Sequence, residues 1–167
     1  MRPLAEPRAD EAAPMYDMIE LFYFAYRDFV GDADRLLEAY GFGRAHHRVL
    51  HFVARHPGLT IAELLDILAI TKQSLNRVLK ELIAQDFVEA RAGAEDRRQR
   101  RLHVTPKGDD LALQLARAQT RRFAAALRAL KPDAKGEAAA FLLAMIDREA
   151  RERILALIGA SPADARS

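Results

Sequence analysis

The stretch LTIAELLDILAITKQSLNRVLKELI, residues 59–83, holds two short amphipathic helices only a two-residue turn apart. Few folds accommodate that. Thr60 followed by Glu63 is a reciprocal N-cap pattern, and Ile61, Leu64, Leu65 and Leu68 share one face of the helix it opens. Ala69-Ile70 is too brief to let the next helix, expected over about Thr71 to Gln85, leave its neighbour. Leu75, Val78, Leu79 and Leu82 cluster within about a third of its circumference and are the core side. Gln73, Asn76, Arg77 and Lys80 fall on the opposite pole. Two helices at this spacing, the second polar and basic outside, match a helix-turn-helix.

The outward residue types suit base edges. Arginine offers a fork to guanine, and asparagine or glutamine does the same for adenine. Thr71, Lys72 and Ser74 stand at the helix start, where hydroxyls and backbone N–H groups hold phosphate. Ordinary solvated helices favour Glu and Lys at such positions.

Next come two strand-like runs, Phe87 to Arg91 and Arg100 to Thr105, with Val88, Leu102 and Val104 turned inward. Between Arg91 and Arg101 lie five arginines, four of them packed into positions 97–101, against Glu95 and Asp96. Arginines so close repel one another. At the tip of a hairpin that repulsion is relieved when phosphates or a narrow minor groove receive them. Arg97, Arg98 and Arg100 are therefore expected to bind DNA. Asp96 is expected to fix the turn through a nearby arginine or backbone N–H groups. The order helix, turn, helix, strand, basic tip, strand is that of a winged helix-turn-helix.

Long helices flank this module. One is expected from Pro14 to about Tyr40, apolar and aromatic on several faces, which asks for a partner subunit. Gly41-Phe42-Gly43 breaks it, and another helix is expected over Arg44 to Arg55 before His56-Pro57-Gly58. Thr105-Pro106 opens a helix to about Leu130. A last helix is expected from Lys131-Pro132-Asp133 to about Ile158. The expected organisation is a flexible tail over 1–13, dimerisation helices over 14–40 and 106–158, the DNA-binding module over 41–105, and a second tail over 159–167. The fold class is mainly α with a small β-hairpin wing.

Composition narrows the function. The 167 residues carry a formal charge of +2, yet residues 71–108 hold nine Lys/Arg against five Asp/Glu. A basic middle suits a polyanion. Without cysteine there is no disulfide, thiolate metal site or thiol chemistry. The opening MRPLAEPRADEAAP lacks the apolar core of a secretory signal. The apolar stretch near Met18–Val30 is too charged to span a bilayer, so a cytoplasmic protein is expected. No Gly-rich phosphate loop or nucleophile elbow is present, so no enzyme is expected.

Asp96-x-Arg98-xxx-Leu102-x-Val104-Thr105-xx-Gly108 resembles the wing signature of the MarR/SlyA family of bacterial transcriptional regulators. Residues 56–91 match that family's helix-turn-helix run in length and apolar phase. The segment FYFAYRDFVGDADRLLEAYGFGRAHHRVLHF, residues 22–52, resembles the family's PetP-type members. The resemblance implies a homodimer on a roughly palindromic double-stranded operator, with residues 71–85 in the major groove and the wing, 91–101, at the minor groove. It places Gln73, Ser74, Asn76 and Arg77 on recognition positions, Arg98 as the wing arginine and Asp96 as its structural partner. Asp86 stands where the family has glycine, and aspartate tolerates left-handed dihedrals.

The family takes small phenolic or aromatic carboxylate effectors, for which Tyr23, Tyr26, His47 and Arg48 are the candidate pocket. His47 and His51, four apart on one helix, lack an evident third ligand, so neither metal nor cofactor is expected. The other reading of the same elements is a winged-helix protein–protein module that has lost DNA binding; a metal or haem carrier is a third.

Overall fold

A computed structural model describes residues 13–159. The tails expected at 1–13 and 159–167 fall outside it apart from Ala13 and Gly159. Helix α1 spans Tyr16–Leu37 and tightens into a 3₁₀ turn over Glu38–Tyr40, which Gly41 ends in the left-handed region at φ 69°. Then come α2 (Arg44–Arg55), β1 (Leu59–Thr60), α3 (Ile61–Leu68), α4 (Lys72–Ala84), β2 (Val88–Ala92), β3 (Arg100–Val104), α5 (Pro106–Arg128), α6 (Ala134–Ala144) and α7 (Arg148–Gly159). The fold is mainly helical with a small antiparallel wing sheet, as expected. No described helix is long and apolar enough to cross a membrane.

Local chemistry explains the boundaries. Thr60 accepts from the Glu63 backbone N–H at 3.2 Å, and the Glu63 carboxylate accepts from the Thr60 N–H at 2.8 Å, so both ends of the cap are satisfied. The turn between α3 and α4 is made by Ala69 in the left-handed region, φ 51°. Asp86 takes the same region at φ 61°, so the turn after α4 forms without glycine.

The core gathers the inner faces of α2, α3, α4 and the sheet around Val49, Leu50, Leu64, Leu75, Leu82 and Phe87. Leu37 from α1 and Leu111 and Leu115 from α5 close it. Only the C-terminal half of α1 joins: Val30, Ala33 and Leu37 are buried, while Tyr16, Ile19, Phe22 and Tyr23 stand exposed.

Two expectations are corrected. The sheet has three strands in the order β1-β3-β2, because Leu59 pairs with Leu102 on the free edge of β3. Two residues carry no periodicity, so β1 leaves no sequence signal. The single last helix is instead two, broken at Met145–Asp147. Aspartate is a poor interior helix residue, and the break is closed from outside: the Arg151 guanidinium donates to the carbonyls of Ala144 at 2.7 Å and Ile146 at 2.8 Å.

The corner between wing and α5 explains Thr105-x-x-Gly108. Thr105 Oγ1 accepts from the Gly108 N–H at 3.0 Å and donates to the Asp86 carbonyl at 2.6 Å. A Cβ on Gly108 would lie 1.9 Å from the Phe87 carbonyl oxygen. Both sides of that contact are backbone and cannot rotate away. Gly108→Ala is expected to cost at least the upper end of the about 1–3 kcal/mol seen for overpacked interiors, read as a lowered midpoint in urea with an unchanged slope. A midpoint equal to wild type would show that α5 shifts freely away from the Phe87 backbone.

Candidate nucleic-acid interface

Helix α4 divides as its sequence suggests: Leu75, Val78, Leu79 and Leu82 are buried, while Lys72, Gln73, Ser74, Asn76, Arg77 and Lys80 are exposed. Thr71 is the N-cap. Its hydroxyl accepts from the Ser74 N–H at 3.2 Å and donates to Ser74 Oγ at 2.9 Å. These hydroxyls therefore brace the helix start, and among the described residues the Lys72 ammonium has no hydrogen-bond or ion-pair partner. At the other end the Lys107 ammonium donates to the Gln85 carbonyl at 2.8 Å and sits 4.2 Å over the Phe87 ring. A cation at a helix C-terminus is favoured by the helix dipole.

The wing tip is tightly built. The Arg98 backbone N–H donates to Asp96 Oδ1 at 2.9 Å, Gln99 N–H to the Asp96 carbonyl at 3.1 Å, and Gly93 N–H to the Gln99 carbonyl at 2.8 Å. Asp96 thus holds the backbone at Arg98 rather than its guanidinium. The five arginines separate into two kinds. Arg91 pairs with Glu89, and Arg101 donates to the Gly58 carbonyl at 3.1 Å and to Gln99 Oε1 at 2.9 Å. Arg101 thus serves the framework, whereas the Arg91–Glu89 pair is an exposed contact within one strand. Arg97, Arg98 and Arg100 are exposed, and among the described residues their guanidiniums have no hydrogen-bond or ion-pair partner.

One contact to α4 has no signature in sequence. His46 Nε2 meets Glu81 Oε2 at 2.6 Å, across 35 positions.

A cleft of about 440 Å³ opens between α1, α2 and α5. Tyr26, His47 and Arg48 line it, together with His51, weighed from the sequence only as a metal ligand, and Arg44 and Thr120, which the sequence did not single out. The Arg48 guanidinium donates to the Tyr26 hydroxyl at 3.2 Å. Tyr23 is not part of the lining; it points to solvent beside the Phe24 ring, 5.2 Å away. Its place is taken by Phe29 and Phe123, whose rings stand 5.0 Å apart. Among the described residues no three His, Asp or Glu side chains are grouped to hold a metal ion.

Burial holds His47, His51, His56 and His103 below the ordinary imidazole value of 6.5. At His47 the neighbouring His51 and Arg48 add to the effect and Asp34 opposes it. Neighbouring Arg55 and His56 act in the same sense at His51. The unfolded chain takes up protons first, so stability is full above about pH 6.5 and falls as pH drops through the lower folded values. Melting temperature is expected to be flat from about pH 8 to 7 and to decline below about 6.5, ahead of carboxylate titration. A rise on acidification to pH 5.5 would contradict this.

The MarR family model matches residues 40–99. HTH-type transcriptional regulator PetP of Rhodobacter capsulatus is 50% identical over 129 residues, covering 77% of this chain and 78% of PetP. Among solved structures, the MarR family transcription regulator SP03579 superposes with a TM-score of 0.67 at 19% identity, over 78% of this chain and 87% of that one. The Staphylococcus aureus MepR–DNA complex gives 0.64 at 19% identity, over 80% and 97%. The two superpositions speak for the fold, and the identity to PetP for descent. The family is one of regulators, not enzymes. Helix-turn-helix, wing and flanking helices thus have one common origin: the chain belongs to the MarR family of winged helix-turn-helix transcriptional regulators.

Proposed function

We propose that the protein is a homodimeric, sequence-specific DNA-binding transcriptional regulator, with α4 in the major groove and the wing at the adjacent minor groove. One observation carries the reading: the outward face of α4 and the wing tip present Gln73, Asn76, Arg77, Lys80, Arg97, Arg98 and Arg100 to solvent, while Arg101 is tied to the Gly58 carbonyl and Arg91 pairs with Glu89. Unpaired guanidiniums on an ordered tip are prepared for phosphate or a narrow groove. MepR, which shares the fold, has been solved with DNA. Residues 14–40 and 106–158 are the dimerisation parts and 41–105 the DNA module; two copies would meet a roughly palindromic site. The cleft beside Tyr26 and Arg48 is the place we assign to a small phenolic or carboxylate effector.

The test begins with duplexes selected from a random pool by the wild-type protein. Arg77→Ala is expected to lose about 1–3 kcal/mol, with preference relaxed at one base pair of each half-site. Arg98→Ala is expected to weaken binding with little change in sequence preference beyond flanking A·T content. Equal weakening of every sequence by Arg77→Ala would remove it from base reading, and unchanged affinity for Arg98→Ala would remove the wing.

A further inference from the structure

We infer that His46 is a positioning residue that keeps Arg77 available to DNA by holding the Glu81 carboxylate away from it. This rests on α4 being the reading helix. Glu81 follows Arg77 by four positions, which puts it about 40° round the helix and one turn up. Arginine and glutamate at that spacing are natural partners. Glu81 is also exposed, its side chain 46% accessible. Left alone, it would harm binding twice: it would occupy the guanidinium fork, and it would carry negative charge to the flank of a surface that meets a polyanion.

The structure shows the other arrangement. Glu81 Oε2 lies 2.6 Å from His46 Nε2, and among the described residues Arg77 has no ion pair. The imidazole is prepared for this. Its Nδ1 accepts from the Gly43 N–H at 3.1 Å, which leaves the proton on Nε2 facing the carboxylate. The ring lies flat on Phe42, with centroids 4.6 Å apart and planes 15° from parallel, and the side chain is only 13% accessible. Phe42 in turn meets Phe87 edge-on at 5.2 Å.

Rotamer and tautomer are therefore set by α2 and the core before Glu81 arrives. The competing Arg77–Glu81 pair is a surface contact between two flexible chains, in the less favourable order along a helix. A charge-assisted bond to a pre-positioned donor wins that competition.

The experiment uses the full chain and a duplex selected by the wild-type protein. His46→Phe keeps the ring packing on Phe42 but has no donor; His46→Gln keeps a donor. His46→Phe is expected to bind roughly threefold to tenfold more weakly, with the loss concentrated at the base pair sensitive to Arg77→Ala. Adding Glu81→Gln to His46→Phe should return affinity to within about twofold of wild type, because a neutral amide neither pairs with Arg77 nor repels phosphate. His46→Gln should stay near wild type.

If the double variant remains as weak as His46→Phe, or the loss is spread evenly over all sequences, His46 is merely structural and the inference is wrong. Should His46→Phe not fold, as far-UV circular dichroism would show, His46→Ala in the same two backgrounds decides the matter. A wild-type protein that selects no duplex, or an Arg77→Ala protein that reads sequence as wild type does, overturns the α4 assignment and this inference with it. Failure confined to the His46 variants overturns the inference alone.

Discussion

If the protein acts as the proposed dimer, Phe22→Asp is expected to leave a monomer whose affinity for a duplex carrying both half-sites falls about 10²–10⁴-fold, the range lost when a linked second binding event disappears. The N-terminal half of α1 presents Tyr16 at 67%, Ile19 at 61%, Phe22 at 50% and Tyr23 at 63% accessibility. Phe141 of α6 and Met145 just after it, half exposed themselves, line an apolar cleft with Met15, Met18, Ile19 and Phe22. A contiguous surface of this kind is rare on a protein that works alone. A second copy of the chain would bury it. A carboxylate at its centre would then be desolvated without a partner, which costs far more than the phenylalanine contact it replaces. Phe22 lies about two turns of α1 before Val30, the first of its buried residues, so the module around α4 should keep its melting behaviour. Light scattering after size exclusion, paired with gel shift, reads both effects. A variant that remains dimeric would place the interface elsewhere.

Raising salt from 50 to 200 mM should weaken operator binding by about 10³ or more, as expected for six to ten phosphate contacts. Lys72, Lys80, Arg97, Arg98 and Arg100 are exposed cations on the proposed surface of each protomer. A dimer doubles that set, and each neutralised phosphate releases condensed counterion. Replacing the three wing-tip arginines by alanine should flatten the slope of log affinity against log salt by several units. The rival reading, a winged-helix module that binds protein, has no such term. Anisotropy titrations showing less than a tenfold change over that range would favour the rival.

Much of this surface was legible because its signals are local. The expected helix over Arg44–Arg55 is the observed α2, and α4 lies within one residue of the expected bounds at each end. Caps, the 3.6-residue period and Gly/Pro punctuation act over four residues, so they are written where they act. The split between Leu75, Val78, Leu79 and Leu82 inside and Gln73, Asn76, Arg77 and Lys80 outside follows from the same period. The misjudged features are those whose contacts reach beyond a single helical turn. The break before α7 depends on Arg151 reaching back to two carbonyls, and β1 exists because β3 has a second edge.

The functional residues divide the same way. Sequence by itself determined the family signature, the helix-turn-helix phase, the density of charge at the wing and the capping threonines, because each depends on residue type and short spacing. Only the tertiary structure decided which charges are free. Arg101 is spent on the Gly58 carbonyl, 43 positions away, and Arg98 is not. Gly108 has no room for a side chain because the Phe87 carbonyl backs against it, and Glu81 is restrained because His46 stands across from it. A side chain's availability depends on what the folded chain brings beside it, and no local pattern carries that information.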